Sequence, residues 1–304
     1  MIENFTTSVA VNNVSAKAQV DSTWFTKALE ASKILKGGYF NIIRPTSEKV
    51  ALNKLTPNAS GVFWQTDSRD CAWDSTAMVD ATEKVVEPAK LKINGEICKD
   101  ALDNIVYNEQ FKGNADNAID AIVAYITRNA GIDLGKQVFT QIMTEAASDS
   151  DVNTVSGTTI TDANALDEIK KVYDAIPDAV LDEFDSADNG GLYIFMNPSD
   201  YRKLESAMSS AATAVNVQRP FFLGDDRKTI YCDRALVVPA IGLTAGTMFA
   251  AAQNNLVIVS DFDSEGQIEG QFGSDLSKKN IFEICAQCRF AATYVVSEDV
   301  VYYA

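Results

Sequence analysis

Apolar spacing divides the chain into three regimes. Over residues 39–93 the apolar positions come in short runs: Tyr39-Phe40-Asn41-Ile42-Ile43-Arg44, Lys49-Val50-Ala51-Leu52, Val62-Phe63-Trp64, Ala77-Met78-Val79 and Lys90-Leu91-Lys92-Ile93. Such runs predict strands, the last of them half-exposed. Turn-forming clusters at 56–61 and 65–75 separate them. A stretch of roughly fifty residues with no helical period is uncommon in a compact domain. It predicts a long two-stranded projection. An isolated hairpin is marginally stable in water, so such a projection implies a partner surface.

In the second regime Ile119, Ile122, Val123, Ile126, Ala130, Leu134, Val138 and Ile142 recur every three or four residues. One stripe at that spacing predicts a helix over 114–147, roughly 50 Å long at 1.5 Å per residue. Asn114 or Asp116 can cap its start, and Gly131 and Gly135 are expected to weaken, bend or divide it. A polar linker follows at 148–159.

The third regime alternates helices and strands. Leu166, Ile169, Val172, Tyr173 and Ile176 predict a helix that Pro177 interrupts. Leu192-Tyr193-Ile194-Phe195-Met196 predicts a short buried strand. It runs into Asn197-Pro198-Ser199-Asp200, an N-cap with proline at the first helical position, and Tyr201, Leu204 and Met208 continue that helix. Strands are expected at 230–233, 236–239, 247–251 and 256–260. The end, 281–304, is strand-like in four runs: Ile281-Phe282-Glu283-Ile284, Arg289-Phe290-Ala291, Tyr294-Val295-Val296 and Val300-Val301-Tyr302-Tyr303. The first 36 residues read as an arm. Their one pattern is Trp24, Phe25, Ala28, Leu29, Ile34 and Leu35, a short amphipathic helix stopped by Gly37-Gly38.

Composition narrows the function. With 304 residues, 46% hydrophobic and 22% charged, the chain has the balance of a folded soluble protein. A net charge of −16 argues against wrapping nucleic acid by counterion release and against an anionic membrane surface. No apolar run approaches the ~18 residues of a membrane span. The start, Met1-Ile2-Glu3-Asn4, lacks the pattern of a signal peptide, and five cysteines at irregular spacing suggest reduced thiols in a cytosolic setting.

The sequence holds no histidine. That removes Ser-His-Asp and Cys-His catalysis, His-containing zinc sites and the common neutral-pH general base. Cys285-Ala286-Gln287-Cys288 matches CxxC, but it lies in a strand-like run, where residues three apart face opposite ways, and there is no second pair. It reads as structural. Asp261-Phe262-Asp263-Ser264-Glu265-Gly266 is similar to the start of an EF-hand loop, but Phe272 stands where the bidentate acid is needed. An acidic hairpin turn is the simpler reading, with Asp261, Asp263 and Glu265 left as a candidate cation group. No phosphate-cradling glycine loop lies in the right context, and no cofactor is indicated.

The order of these elements resembles the major capsid proteins of tailed bacteriophages with the HK97 fold. The stretch Val85-Val86-Glu87-Pro88-Ala89-Lys90-Leu91-Lys92-Ile93-Asn94-Gly95-Glu96-Ile97-Cys98 is similar to capsid proteins of phages infecting Bacteroidetes. Met196-Asn197-Pro198-Ser199-Asp200-Tyr201-Arg202-Lys203-Leu204 and Leu236-Val237-Val238-Pro239 resemble elements of the capsid axial (A) domain. The resemblance implies an α+β fold divided as an N-terminal arm at 1–36, a β-hairpin E-loop at 37–94, a peripheral (P) domain with a spine helix at 95–160, an A domain at 161–273 and closing P-domain strands at 274–304. It also implies a shell protein without catalytic residues, assembling with itself into pentamers and hexamers around double-stranded DNA held only by enclosure. Portal, scaffold and decoration proteins would be its partners, with no membrane. It would be made in the host bacterial cytoplasm and reside in the virion. No long charged scaffolding segment precedes the arm, so scaffolding is expected as a separate protein or the chain as mature. Assembly contacts are expected at Trp24, Phe25, Leu29, Lys49, Lys54, Trp64, Asp225, Asp226 and Pro239, with Lys49, Lys54 and Asn58 near the E-loop tip. Two alternatives stand beside this: an encapsulin-like compartment shell, and a histidine-free enzyme using carboxylates or the Asp261 group with a divalent cation.

Overall fold

The computed structural model describes residues 18–19, 33–45, 48–57, 79–98, 115–183, 191–213, 221–223, 229–260, 269–272 and 281–304. In chain order the elements are β1 (Ala18–Gln19), α1 (Lys33–Lys36), β2 (Asn41–Ile43), β3 (Val50–Pro57), β4 (Val79–Val86), β5 (Ala89–Cys98), α2 (Ala115–Ser148), β6 (Asn153–Val155), α3 (Ala165–Asp174), α4 (Asp178–Glu183), β7 (Leu192–Met196), α5 (Pro198–Thr213), β8 (Phe221–Leu223), β9 (Ile230–Cys232), β10 (Ala235–Pro239), β11 (Met248–Ala252), β12 (Leu256–Ser260), β13 (Glu269–Phe272), β14 (Ile281–Tyr294) and β15 (Val301–Tyr303). Helix α1 stops where expected: Gly38 takes φ +70°, a left-handed conformation that costs glycine little.

A seven-stranded sheet, ordered β6-β15-β11-β7-β10-β9-β8, is covered on both faces. All five residues of β7 are buried because the strand packs both ways. Tyr193 and Phe195 join Val138, Phe139 and Ile142 of α2 in one core. Leu192, Ile194 and Met196 join Ile169 and Val172 of α3, Val180 of α4 and Leu204 of α5 in the other. Each such side chain, fully buried, contributes about 1.5–3 kcal/mol.

The second sheet is built on β14. Strand β5 runs antiparallel along one side over ten paired residues, while β12 and β13 lie end to end along the other. Leu256 and Ile258 of β12, with Phe290, Ala292 and Tyr294 of β14, face the α2 core. The intervening Val257 and Val259 turn to the opposite face, where they meet Leu52 of β3 and Val86 of β4. That alternation follows from the strand period of two. Strands β3 and β4 pair only with each other, from Val50 opposite Val86 to Pro57 opposite Val79. The predicted two-stranded ribbon is therefore present, with its base docked on the second sheet.

Four expectations change. First, α2 is one uninterrupted helix of 34 residues despite Gly131 and Gly135. The roughly 1 kcal/mol that each glycine costs is outweighed by buried Leu134, Val138, Phe139, Ile142 and Ala146. Second, residues 281–294 form a single strand, because pairing with β5, β12 and β13 spans the polar breaks between the predicted runs. Third, β12 and β13 both run antiparallel to β14 and so run the same way as each other, which excludes a hairpin turn between them. Fourth, the strand-like runs that close the chain divide between the two sheets. The closing strand β15 inserts between β6 and β11 in the seven-stranded sheet, while β12 and β13 belong with β14. Burial drives this exchange: Val301 and Tyr303 are fully buried, among Ile169, Val172 and Met248.

Candidate assembly surfaces

The ribbon of β3 and β4 has two chemically different faces. Residues directly opposite in an antiparallel pair share a face, so Val50, Leu52, Lys84 and Val86 form one and Ala51, Asn53, Glu83 and Val85 the other. The first packs on the body. The second faces solvent, and Val85 is 54% exposed there. In the run Val85-Val86 one residue is core and its neighbour surface, as the strand period requires. Lys49 pairs with Glu87, and both are well exposed. Glu87 raises the Lys49 pKa first through its hydrogen bond and then through its charge. Lys49 precedes Val50, the residue at the docked end, so it stands at the base of the ribbon and not near the tip as expected. The register sets this: pairing runs outward from Val50 to Pro57. Lys54 sits midway along β3, opposite Thr82.

A second surface lies beyond β10. Pro239, the last residue of that strand, is exposed opposite Met196 of β7, and Ile241 follows at 45% exposure. Side-chain hydrogen bonds tie its loop to the start of α5. The Asn197 side-chain N–H donates to the Leu243 carbonyl at 2.6 Å, and its oxygen accepts from the Ser199 backbone N–H at 2.8 Å, capping α5 as expected. Asp200, whose side chain is 1% exposed, accepts from the Gly246 N–H and from Lys203, each at 2.7 Å. Gly242 takes φ +114° with its α-carbon turned on the Lys136 backbone of α2. A Cβ there would lie 2.6 Å from the Lys136 carbonyl oxygen. Tyr125, on α2, is a further exposed aromatic at 70%. The sequence reading missed Val85, Ile241 and Tyr125. Only the neighbouring strand period could have found the first, and nothing in the pattern marks the other two.

Trp24, Phe25, Leu29, Asn58, Trp64, Asp225, Asp226, Asp261, Asp263 and Glu265 lie outside the described residues. The segment holding the last three is flanked by strands β12 and β13, whereas an EF-hand requires helices. Among the described residues no group of three or more His, Cys, Asp or Glu is placed to hold a metal. Cys285 and Cys288 both lie within the continuous strand β14, three positions apart. No helix among the described residues is long and apolar enough to cross a membrane.

No protein-family profile matches the chain. No curated protein sequence matches it either. Solved structures do. The chain is similar to one in the procapsid of satellite phage P4, determined with the size determination (Sid) protein, at TM-score 0.59 and 12% identity over 99% of this chain and 93% of that one. It is similar to the virus-like particle from Pyrococcus furiosus at TM-score 0.54 and 11% identity, over 93% and 96%. A chain of Microbacterium phage Oxtober96 matches at TM-score 0.53 and 14% identity, over 90% of each. At such identities the likeness establishes the fold. It is α+β and HK97-like, the architecture that the order of sequence elements resembles.

Proposed function

We propose that this chain is a major capsid protein that associates with itself into pentamers and hexamers and builds the icosahedral shell of a double-stranded DNA phage. One observation carries the reading: nearly the whole chain, 99% of it, superimposes on a procapsid chain. The two-faced ribbon, with an apolar residue left on its solvent side, supports it. In this reading the ribbon is the E-loop and α2 the spine helix. The block limits at 36, 94, 160 and 273 mark arm, E-loop, P domain, A domain and closing strands along the chain. Contacts between copies fall to Trp24, Phe25 and Leu29 of the arm, Lys49, Lys54 and Trp64 of the ribbon, and Asp225, Asp226 and Pro239 around the A domain. DNA is held by enclosure alone, as a net charge of −16 favours. The shell forms in the host cytoplasm, meets portal, scaffold and decoration proteins there, has no catalytic site of its own, and ends in the virion.

The test is expression of the chain, alone and with a scaffold protein, followed by size-exclusion chromatography and negative-stain electron microscopy. Rings, tubes or closed shells are expected. A homogeneous monomer under both conditions overturns the reading. A second reading, a protein compartment shell, draws on the same likeness to particle-forming chains, the virus-like particle from Pyrococcus furiosus among them. Its particles would enclose protein, whereas a phage shell encloses nucleic acid.

A further inference from the structure

Lys84 stands at a junction between three elements. Strand β5 stops pairing with β14 at Ala89, opposite Phe290, and the preceding residue is Pro88, which has no N–H to give. Past that point side chains supply the bonds on this side of β14. Gln141 of α2 accepts from the Ala292 N–H at 2.7 Å, and Lys84 donates to the Tyr294 carbonyl at 2.6 Å. The same ammonium pairs with Glu145 of α2 at 2.5 Å and lies 4.1 Å from the centre of the Tyr294 ring. The other Glu145 oxygen accepts from the Thr293 hydroxyl at 2.7 Å. Tyr294 is itself held by Asp149, which accepts its hydroxyl at 2.9 Å.

The remaining attachments of the ribbon base are long, exposed or non-directional. Glu48, just before β3, meets Arg289 of β14 at 3.8 Å, but the Glu48 side chain is 82% exposed and solvent screens the pair. Leu52 and Val86 rest on Val257 and Val259, a non-directional apolar contact that resists separation more than rocking. The Lys49–Glu87 pair links one end of the ribbon to the other, not the ribbon to the body, and its side chains are 66% and 62% exposed. The Lys84–Glu145 pair is 27% and 31% exposed, so water and salt screen it less. Prolines stand at both connections, Pro45 before β3 and Pro88 after β4.

We propose that Lys84 is the catch that holds the ribbon at one angle to α2. It is a positioning residue, and it acts through a directional set of bonds: a charge-assisted hydrogen bond, an ion pair and a cation–π contact. Resting on the shell reading above, that angle sets the curvature of the assembly. Spin labels carried on non-native side chains at Asn53 and Gln137, both exposed, give the ribbon-to-helix distance in the full chain before assembly. The parent is expected to show one narrow distribution. Lys84→Met and Glu145→Gln are expected to broaden and displace it while leaving far-ultraviolet circular dichroism and cooperative unfolding in place. Lys84→Arg, which keeps the charge, is expected to return it towards the parent. Unchanged distributions in both Lys84→Met and Glu145→Gln overturn the catch. If either variant fails to fold, the other alone decides. Particle diameters of the same variants test the second half: mixed diameters are expected for Lys84→Met, and parental diameters with a displaced distance overturn the link to curvature. A parent that forms no particles defeats the shell reading, and the distance measurement still decides the catch.

Discussion

Removing one oxygen from Tyr303 should destabilise the fold by about 2 kcal/mol. Tyr303, fully buried in the closing strand, gives its hydroxyl proton to Glu168 of α3 at 2.7 Å and accepts from the Thr158 N–H at 2.9 Å. Glu168 has a side chain only 5% exposed and is also held by Thr158 and Lys171, each at 2.8 Å. Tyr303→Phe keeps the ring, so no cavity forms. What is lost is a hydrogen bond to a charged acceptor, worth about 1.5–3 kcal/mol. Thr158 is exposed, so its N–H recovers a partner in water and adds little. For a chain of this size the loss corresponds to a fall in Tm of about 3 °C. The assay is thermal unfolding of Tyr303→Phe, Glu168→Gln and the double variant, from which the coupling between the two positions follows. Acid should erase the difference. Burial pushes the Glu168 pKa up, but the bonds from Lys171, Tyr303 and Thr158 outweigh it and the net shift is downward. A depressed carboxyl stabilises the fold above its unfolded value of about 4.3, and that contribution disappears as pH falls through the lower folded value. A fall in Tm below about 1 °C at neutral pH, or no coupling between the two positions, refutes the reasoning.

Three further outcomes are expected. Gly157→Ala places a Cβ 1.9 Å from the Tyr303 ring, so it should cost about 1–3 kcal/mol, read in the same thermal assay. Asp200→Ala strips the buried partner of Lys203 and the acceptor of the Gly246 N–H; a loss of about 3 kcal/mol in urea unfolding is expected, with faster proteolysis of the loop at 240–247. Burial, then hydrogen bonding to Asp233 and Glu168 respectively, pushes the Tyr173 and Tyr303 phenols up to about 12. Raised phenols stabilise the fold fully below the unfolded value of about 10, and stability should fall as pH rises from there through the folded value, with phenolate absorbance appearing together with unfolding.

Local pattern made much of this fold legible. The stripe from Ala130 to Ile142, the buried run Leu192–Met196 and the Asn197-Pro198 cap each declare themselves within a few residues, because the period or the cap chemistry is local. Strand partners are not local. Nothing around Val300-Val301-Tyr302-Tyr303 indicates that it pairs with Asn153–Val155 and Met248–Ala252, since a buried strand has the same composition in either sheet. The placement of Lys49 failed for a related reason: a ribbon's base and tip are distinguished by what lies beneath them, here Val257 and Val259. Lys84 was invisible as well. A lysine in Thr82-Glu83-Lys84-Val85 looks like any solvated lysine until Glu145 and Tyr294, 61 and 210 residues away, are brought beside it.

In the proposed shell, the exchange of strands between the sheets limits where the subunit can change shape. Strand β12 follows β11 after a three-residue turn, yet the two belong to different sheets, and β14 leads into β15 across the same divide. The core under α2 takes residues from both sheets: Phe195 and Phe249 from one, Ile258 and Tyr294 from the other. Phe195 lies within ring-contact distance of Tyr39, Phe40, Phe139, Tyr193 and Phe249. Pulling the sheets apart would open that core, at several kcal/mol for each aromatic side chain exposed. The ribbon is different. It pairs with itself and meets the body at its base through Leu52, Val86, Lys84 and the exposed Glu48, with a proline on either side. A change of angle there disturbs one small apolar contact, the Lys84–Glu145 pair and the exposed Arg289–Glu48 pair, so in the proposed shell subunits that must fit more than one local curvature would flex at this base before they flexed between the sheets.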